Sequence, residues 1–169
     1  MSSQSRPVRS LDAHYYTDPE VFRIESEGLF KRTWQFAGHI SQVEKTGDYF
    51  TFSMAGENLI CIRDRDGAIN AYYNVCQHRA HELVHGEGHT RLVVCPYHAW
   101  TYELSGQLRS GPNIQSVPGF DRSDICLTRV RIEEFCGFLF ANLDPDAEPM
   151  DTWFPDVREQ LAAFVPHHA

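Results

Sequence analysis

Two pairs of ligand-capable side chains constrain this chain more than any other feature of its sequence. Within CQHRAHELVHGEGHTRLVVCPYHAW, one residue separates Cys76 from His78, two separate Cys95 from His98, and sixteen lie between the pairs. Each pair sets a soft thiolate beside an imidazole, so the fold has to bring two loops face to face. A single zinc ion would take all four groups in one tetrahedron. A dinuclear iron–sulfur cluster would divide them, both thiolates on one iron and both imidazoles on the other, so that each loop supplies one ligand to each iron. Zinc modules more often pair Cys with Cys and His with His, usually in small domains short of a core. The mixed pairs therefore favour the cluster, with a zinc-stabilised interaction module as the alternative. Gly86, Gly88 and Pro96 suit loops that bend tightly around an inorganic core.

The histidines have an electrostatic meaning. Two ferric ions and two sulfides carry about +2, and two thiolates bring this to about zero where four would leave about −2. Reduction is then easier than in an all-cysteine cluster, and imidazoles on the outer iron can present a ring nitrogen at the surface.

Around these loops the sequence reads as mainly β. Short aromatic and β-branched runs predict strands at 34–40, 49–54, 59–63, 69–74, 92–94, 100–103, 127–133 and 138–142, with Asp66-Gly67 as a hairpin signal. Such spacing predicts an antiparallel sandwich or barrel-like fold. Asp18-Pro19-Glu20 predicts the start of an N-terminal helix that ends near Lys31 or Arg32. A second helical stripe spans Asp151 to Phe164, with Pro155 tolerable only in its first turn. The expected organisation is a flexible N-terminus at 1–17, a body with its opening helix at 18–150, and a helical tail at 151–169. The proline-flanked stretch Asp144–Pro149 is the expected linker.

The remaining composition excludes several roles. A formal net charge of −8 argues against a nucleic-acid partner. No apolar run approaches bilayer length and the opening residues lack a secretory h-region, so no membrane is expected and the cytoplasm is the expected compartment. Five cysteines, an odd number, cannot all enter a disulfide framework. Cys61, Cys126 and Cys136 lie in or beside apolar strands and read as small core hydrophobes. His81, His85 and His89 read as solvated loop residues, with His81 placed to shield the centre. Trp100 and Tyr102 alternate along a strand and read as packing beneath it.

The segment resembles the Rieske domain of Rieske non-haem iron oxygenase (ring-hydroxylating oxygenase) large subunits, at Cys76, His78, Arg79, Gly86, Gly88, Cys95, Pro96, Tyr97, His98, Trp100 and Tyr102. It departs from that pattern at Ala80 and Ala99, where glycine is commoner. The similarity extends to the opening helix and to FLFANLDP at 138–145, and so covers nearly the whole chain. The resemblance implies a Rieske-type antiparallel β-sandwich with an N-terminal and a C-terminal helix, and a [2Fe–2S] cluster on Cys76, His78, Cys95 and His98. Positions that carry a disulfide in respiratory Rieske proteins are His81 and Tyr97 here, and the position of their cluster-directed hydroxyl is Trp100, which implies a low-potential, oxygenase-type centre.

By the same resemblance, electrons would come from a reductase or ferredoxin. They would pass to a mononuclear Fe(II) in a catalytic domain of the same or a neighbouring subunit, within a homotrimer when the protein is full length. The family's Asn-Trp-Lys stretch does not occur in these residues, and no set of two histidines and a carboxylate is recognised as its catalytic iron site, so no catalytic residue is assigned. The chain is expected to be either a fragment of a longer oxygenase or a truncated relative; a free-standing Rieske-type ferredoxin is the other electron-transfer reading. His-Arg-Ala-His and Cys-Pro-Tyr-His-Ala-Trp resemble the branch that acts on quaternary ammonium compounds of the glycine betaine type.

Overall fold

Asp18 ends one helical turn and begins the next. A computed structural model describes residues 10–162. In it, α1 (His14–Thr17) stops where Asp18 turns extended, and the Asp18 carboxylate accepts the N–H of Glu20 at 2.8 Å to start α2 (Pro19–Glu25) with proline in its first turn. The helix widens into a π-helical turn at Ser26–Phe30 and ends there, at the expected boundary. The turn α1 falls at the end of the stretch 1–17 read from the sequence as a flexible N-terminus. Local bonds hold it, among them Tyr15 N–H to Asp12 O at 3.1 Å and the Thr17 hydroxyl to Ala13 O at 3.2 Å; residues 1–9 lie outside the described residues.

The eight expected strands are present, and two more join them. In chain order they are β1 (Gln35–His39), β2 (Asp48–Met54), β3 (Glu57–Arg63), β4 (Ile69–Tyr73), β5 (Glu87–His89), β6 (Val93–Val94), β7 (Thr101–Tyr102), β8 (Leu108–Ser110), β9 (Arg129–Phe135) and β10 (Phe138–Asn142). A seven-stranded sheet runs β1-β10-β9-β4-β3-β2-β5, and a three-stranded sheet runs β6-β7-β8. Neighbours pair antiparallel throughout. The chain is thus mainly β, as the sequence predicts. The turn after β3 is longer than a two-residue hairpin: the Asp64 carboxylate accepts the N–H groups of Asp66 and Ala68, and Gly67 takes the positive φ of 83°.

Strand β3 places the core. Alternation sends Ile60 and Ile62 to one face, where Tyr72 of β4, Val93, Tyr102, Leu108 and the two cysteines Cys76 and Cys95 pack with them. Leu59 and Cys61 point the other way, into two clusters inside the curled large sheet with Phe50, Ala71, Val130 and Leu139. The small sheet therefore rests on the large one, and the ligand-bearing loops share its buried layer. Burial pushes the Cys61 thiol up to about 12, so it stays a protonated hydrophobe.

Three expectations differ from the structure. Cys126 is exposed at an isolated bridge to Gln107, and Cys136 is half-buried in the β9–β10 turn at a φ of 54°, so neither is a core residue in the way Cys61 is. The tail is two short helices, α3 (Met150–Trp153) and α4 (Val157–Ala162), rather than one stripe. Pro155 lacks an N–H and drives Phe154 out of helical geometry (φ −133°, ψ 59°), and Phe164 lies outside the described residues. The stretch expected as a linker is strapped to the sheet. The Trp34 indole N–H donates to Glu148 O at 2.9 Å, Met150 N–H donates to Glu133 at 2.9 Å, and Ala147 and Met150 are buried against Trp34 and Phe135. Among the described residues no helix is long and apolar enough to cross a membrane.

Candidate metal centre

The two ligand loops repeat each other's backbone. In the first, between β4 and β5, Cys76 N–H bonds to His81 O at 2.8 Å and Ala80 N–H to Cys76 O at 2.9 Å. In the second, between β6 and β7, Cys95 N–H bonds to Trp100 O at 2.8 Å and Ala99 N–H to Cys95 O at 3.0 Å. Each loop closes through a residue four places after its cysteine in the left-handed region, Ala80 at φ 53° and Ala99 at φ 55°. The sequence departs from the glycine-rich pattern at these two strained positions.

The loops bring like groups together. Cys76 and Cys95 are both buried to 2% exposure in the same core cluster, and the Cys95 thiol acts directly on that of Cys76. The His78 and His98 rings adjoin with centroids 4.9 Å apart, His78 exposed and His98 half-buried. Sulfur thus faces the core and imidazole faces outward. His98 Nδ1 is buried and has no hydrogen-bond partner among the described residues. An orphaned ring nitrogen is costly unless something binds it, and neutral imidazole beside a thiol pair is the donor set a two-iron cluster with divided ligands uses. The residues fit such a group. Burial first, then the charges of His78, Arg79 and His81, push His98 below its ordinary value and favour the neutral, ligating form.

Tyr102 supports the sulfur side. Fully buried, its hydroxyl accepts the Gln77 N–H at 3.0 Å and lies 3.2 Å from Cys76 Sγ, so its own proton is free for the sulfur. Burial pushes the Cys76 thiol up, while the Tyr102 hydroxyl and the backbone N–H of His78 oppose that shift by favouring the thiolate. Trp100 serves the other side: its indole stacks on His78, 4.8 Å between centroids and 9° between planes. The Tyr97 ring stacks on His98 at 3.8 Å. Trp100 and Tyr102 both touch the centre, one at an imidazole and the other at the thiols.

Two parts of the site were not foreseen. Asn74, buried at 2% exposure, accepts the N–H groups of Leu83 (3.3 Å) and Val84 (3.2 Å) and donates to Val84 O (2.7 Å), pinning the far end of the first loop. Glu82 joins it by accepting from Asn58 at 2.6 Å. The segment 111–120 walls an open groove of about 620 Å³ beside His78 and His98, into which Tyr97, Ile114, Val117 and Phe120 project. The clustered Gly-Pro-Asn and Val-Pro-Gly-Phe punctuation of that segment was the available signal.

The other loop histidines have local partners: His81 meets Glu82 O at 2.6 Å, His85 meets Glu82 at 3.1 Å and His89 meets Asp48 at 2.9 Å. His81 also lies 5.5 Å from Tyr97, at the edge of the centre. Arg79 is exposed and makes no salt bridge among the described residues.

Comparison with known proteins agrees with this geometry. Residues 33–121 match the family described as the Rieske [2Fe-2S] domain. The carnitine monooxygenase oxygenase subunit of Escherichia coli (strain K12) is 37% identical over 158 residues, covering 93% of this chain and 42% of that protein. A solved structure of the quaternary ammonium Rieske monooxygenase CntA, reported with insights into inter-subunit electron transfer, superposes with a TM-score of 0.85 at 37% identity, over 89% of this chain and 41% of that one. Naphthalene 1,2-dioxygenase superposes with a TM-score of 0.83 at 33% identity, over 90% of this chain and 35% of that one. The chain spans about two fifths of the length of the carnitine monooxygenase subunits it matches.

Proposed function

The chain belongs to the Rieske [2Fe–2S] domain family, and from that premise we propose that Cys76 and Cys95 hold one iron of the cluster and His78 and His98 the other. The domain then works as the electron relay of a Rieske non-haem iron oxygenase subunit. The observation that carries the reading is the segregation of like ligands: thiols together in the core, imidazoles together at the surface, with His98 Nδ1 buried and unpartnered.

When bound, a [2Fe–2S] cluster supplies one-electron oxidation and reduction. The protein's own residues set the conditions. Buried Cys76 and Cys95 keep the sulfur side dry, and Tyr102 offers a hydrogen bond to Cys76 sulfur that favours the more negative, reduced state. His78 and His98 put the outer side within reach of a partner, and the rings of Trp100 and Tyr97 cover their faces. A zinc ion would gain nothing from this separation of sulfur and nitrogen.

The wider role rests on the relatives. In this reading a reductase or ferredoxin supplies the electron. A mononuclear iron in a catalytic domain of the same or a neighbouring subunit receives it, in a cytoplasmic assembly that is homotrimeric in the full-length protein. The apolar groove with its exposed Tyr97 and Val117 is the face that such a partner covers. Similarity to carnitine monooxygenase and CntA supports a quaternary ammonium substrate for the assembled enzyme. Visible absorption and electron paramagnetic resonance of the purified protein, with iron and sulfide analysis, test the cluster. Two irons and two sulfides per chain with a Rieske-type signal are expected, and a colourless zinc protein would refute it.

A further inference from the structure

Gly111 has no backbone reason to be glycine. Its φ lies outside the left-handed region that glycine alone enters freely. What the position lacks is room. A Cβ added there would stand 2.7 Å from Cδ1 and 2.8 Å from Nε1 of the Trp100 indole, and 3.3 Å from Cγ2 of Ile114. The indole occupies the space that a side chain at 111 would take.

The same indole is bounded on other sides. It lies parallel to the His78 imidazole at 4.8 Å and 9°, and meets the Phe120 ring edge-on at 6.0 Å and 75°. It is only 9% exposed, so it cannot swing into solvent without breaking this packing. A displacement forced from Gly111 bears on the stack with His78 and on the edge contact with Phe120.

We propose that Gly111 is a positioning residue for the metal centre: its missing side chain seats Trp100 flat against His78 and so fixes the ring plane of that imidazole. The inference rests on the assignment of His78 as a ligand and adds to it a determinant of the ligand's orientation. A ligating imidazole retains rotation about its metal bond, and neighbours that fix this rotation set both its electronic contact with the metal and the direction of its second ring nitrogen. Backbone hydrogen bonding positions the two loops, but nothing in it fixes the His78 ring; the Gly111–Trp100 contact does.

The test is a double-mutant cycle on the holoprotein. Gly111→Ala is expected to retain full iron and sulfide content while shifting the g-values of the reduced protein and its reduction potential. In a Trp100→Phe background the smaller ring leaves room for the added methyl, so Gly111→Ala is expected to leave both readouts where Trp100→Phe alone puts them. Should Gly111→Ala lose the cluster, Trp100→Phe is expected to restore it. Wild-type g-values and potential in Gly111→Ala would overturn the inference, as would an equal shift in both backgrounds or a cluster loss that Trp100→Phe does not rescue. A wild-type protein without a Rieske-type signal refutes the ligand assignment itself, and this inference with it.

Discussion

Ala80 and Ala99 stand at the same point of two loops that repeat one another, each four residues after a cysteine, with φ of 53° and 55° and its N–H bonded back to that cysteine's carbonyl. Alanine enters the left-handed region at a cost of about 1–2 kcal/mol, because Cβ crowds the following carbonyl. The loops tolerate this because their other bonds over-determine them.

Relieving that strain should stabilise the protein. Ala80→Gly and Ala99→Gly are each expected to add about 0.5 kcal/mol, the relief less the greater backbone entropy glycine loses on folding. Urea midpoints of single and double variants at equal cluster occupancy check this. A double variant no more resistant than wild type would contradict the account.

Tyr102→Phe removes the hydroxyl 3.2 Å from Cys76 Sγ and leaves the ring in place. The lost bond favoured the reduced, more negative state, so the potential is expected to fall by a few tens of millivolts, the equivalent of roughly 1 kcal/mol for one electron. Redox titration reads it directly. An unchanged potential would show that the hydroxyl proton points elsewhere.

Asn74→Leu keeps the volume roughly and removes every bond that pins residues 83 and 84. One buried backbone group of Leu83 and two half-buried groups of Val84 lose their partner, which costs on the order of 2 kcal/mol. Hydrogen exchange should rise between residues 80 and 86 before it rises in β3. Protection equal to wild type there would mean the loop is held by its own contacts.

How far the sequence reveals this centre depends on which force does the holding. Cys76, His78, Cys95 and His98 are legible because metal chemistry restricts both ligand type and spacing. The β3 and β4 strands are legible because their apolar residues alternate onto two buried faces. Strand β5 is not: Glu87-Gly88-His89 holds no large apolar residue, and it is recruited by backbone pairing with Asp48–Phe50 and by side-chain bonds from Gln42 to Glu87 and between His89 and Asp48, with Gly88 giving way to the Tyr49 ring. Asn74 escapes notice for a related reason, since a buried asparagine is ordinary in composition and its role appears only once three bonds to residues 83 and 84 converge on it. Cys126 was misread because an apolar neighbourhood in sequence does not say which way a bridge residue faces.

The attachment of β5 should weaken in acid. The hydrogen bond from His89 first, then that from Lys45 N–H, holds the Asp48 carboxyl below the usual carboxylate range. A carboxyl depressed in the folded state contributes stability above its unfolded value, near 4, and that contribution is lost as pH falls through the lower folded value. Asp48→Asn is therefore expected to be less stable than wild type at neutral pH by less than about 1 kcal/mol, with the gap closing below about pH 4. A gap that persists undiminished at pH 3 would assign the effect to packing instead.

The ligand assignment makes the strongest demand, because it predicts a direction from charge alone. The His78 and His98 rings lie at the outward face, 4.9 Å apart, where as ligands they would be uncharged donors, while the thiols occupy the core. Replacing either imidazole by Cys puts a thiolate where no charge stood, and a site one unit more negative accepts an electron less readily. His78→Cys and His98→Cys are thus expected to lower the potential, or to lose the cluster where the shorter side chain fails to reach. The two outcomes separate by iron content. Neither is expected of His85→Cys, whose parent ring bonds to Glu82 at the surface and which serves as a control for loop damage. If a His78 or His98 variant kept both the wild-type potential and the wild-type spectrum, that histidine would not be a ligand, and the division of sulfur from nitrogen would need another explanation.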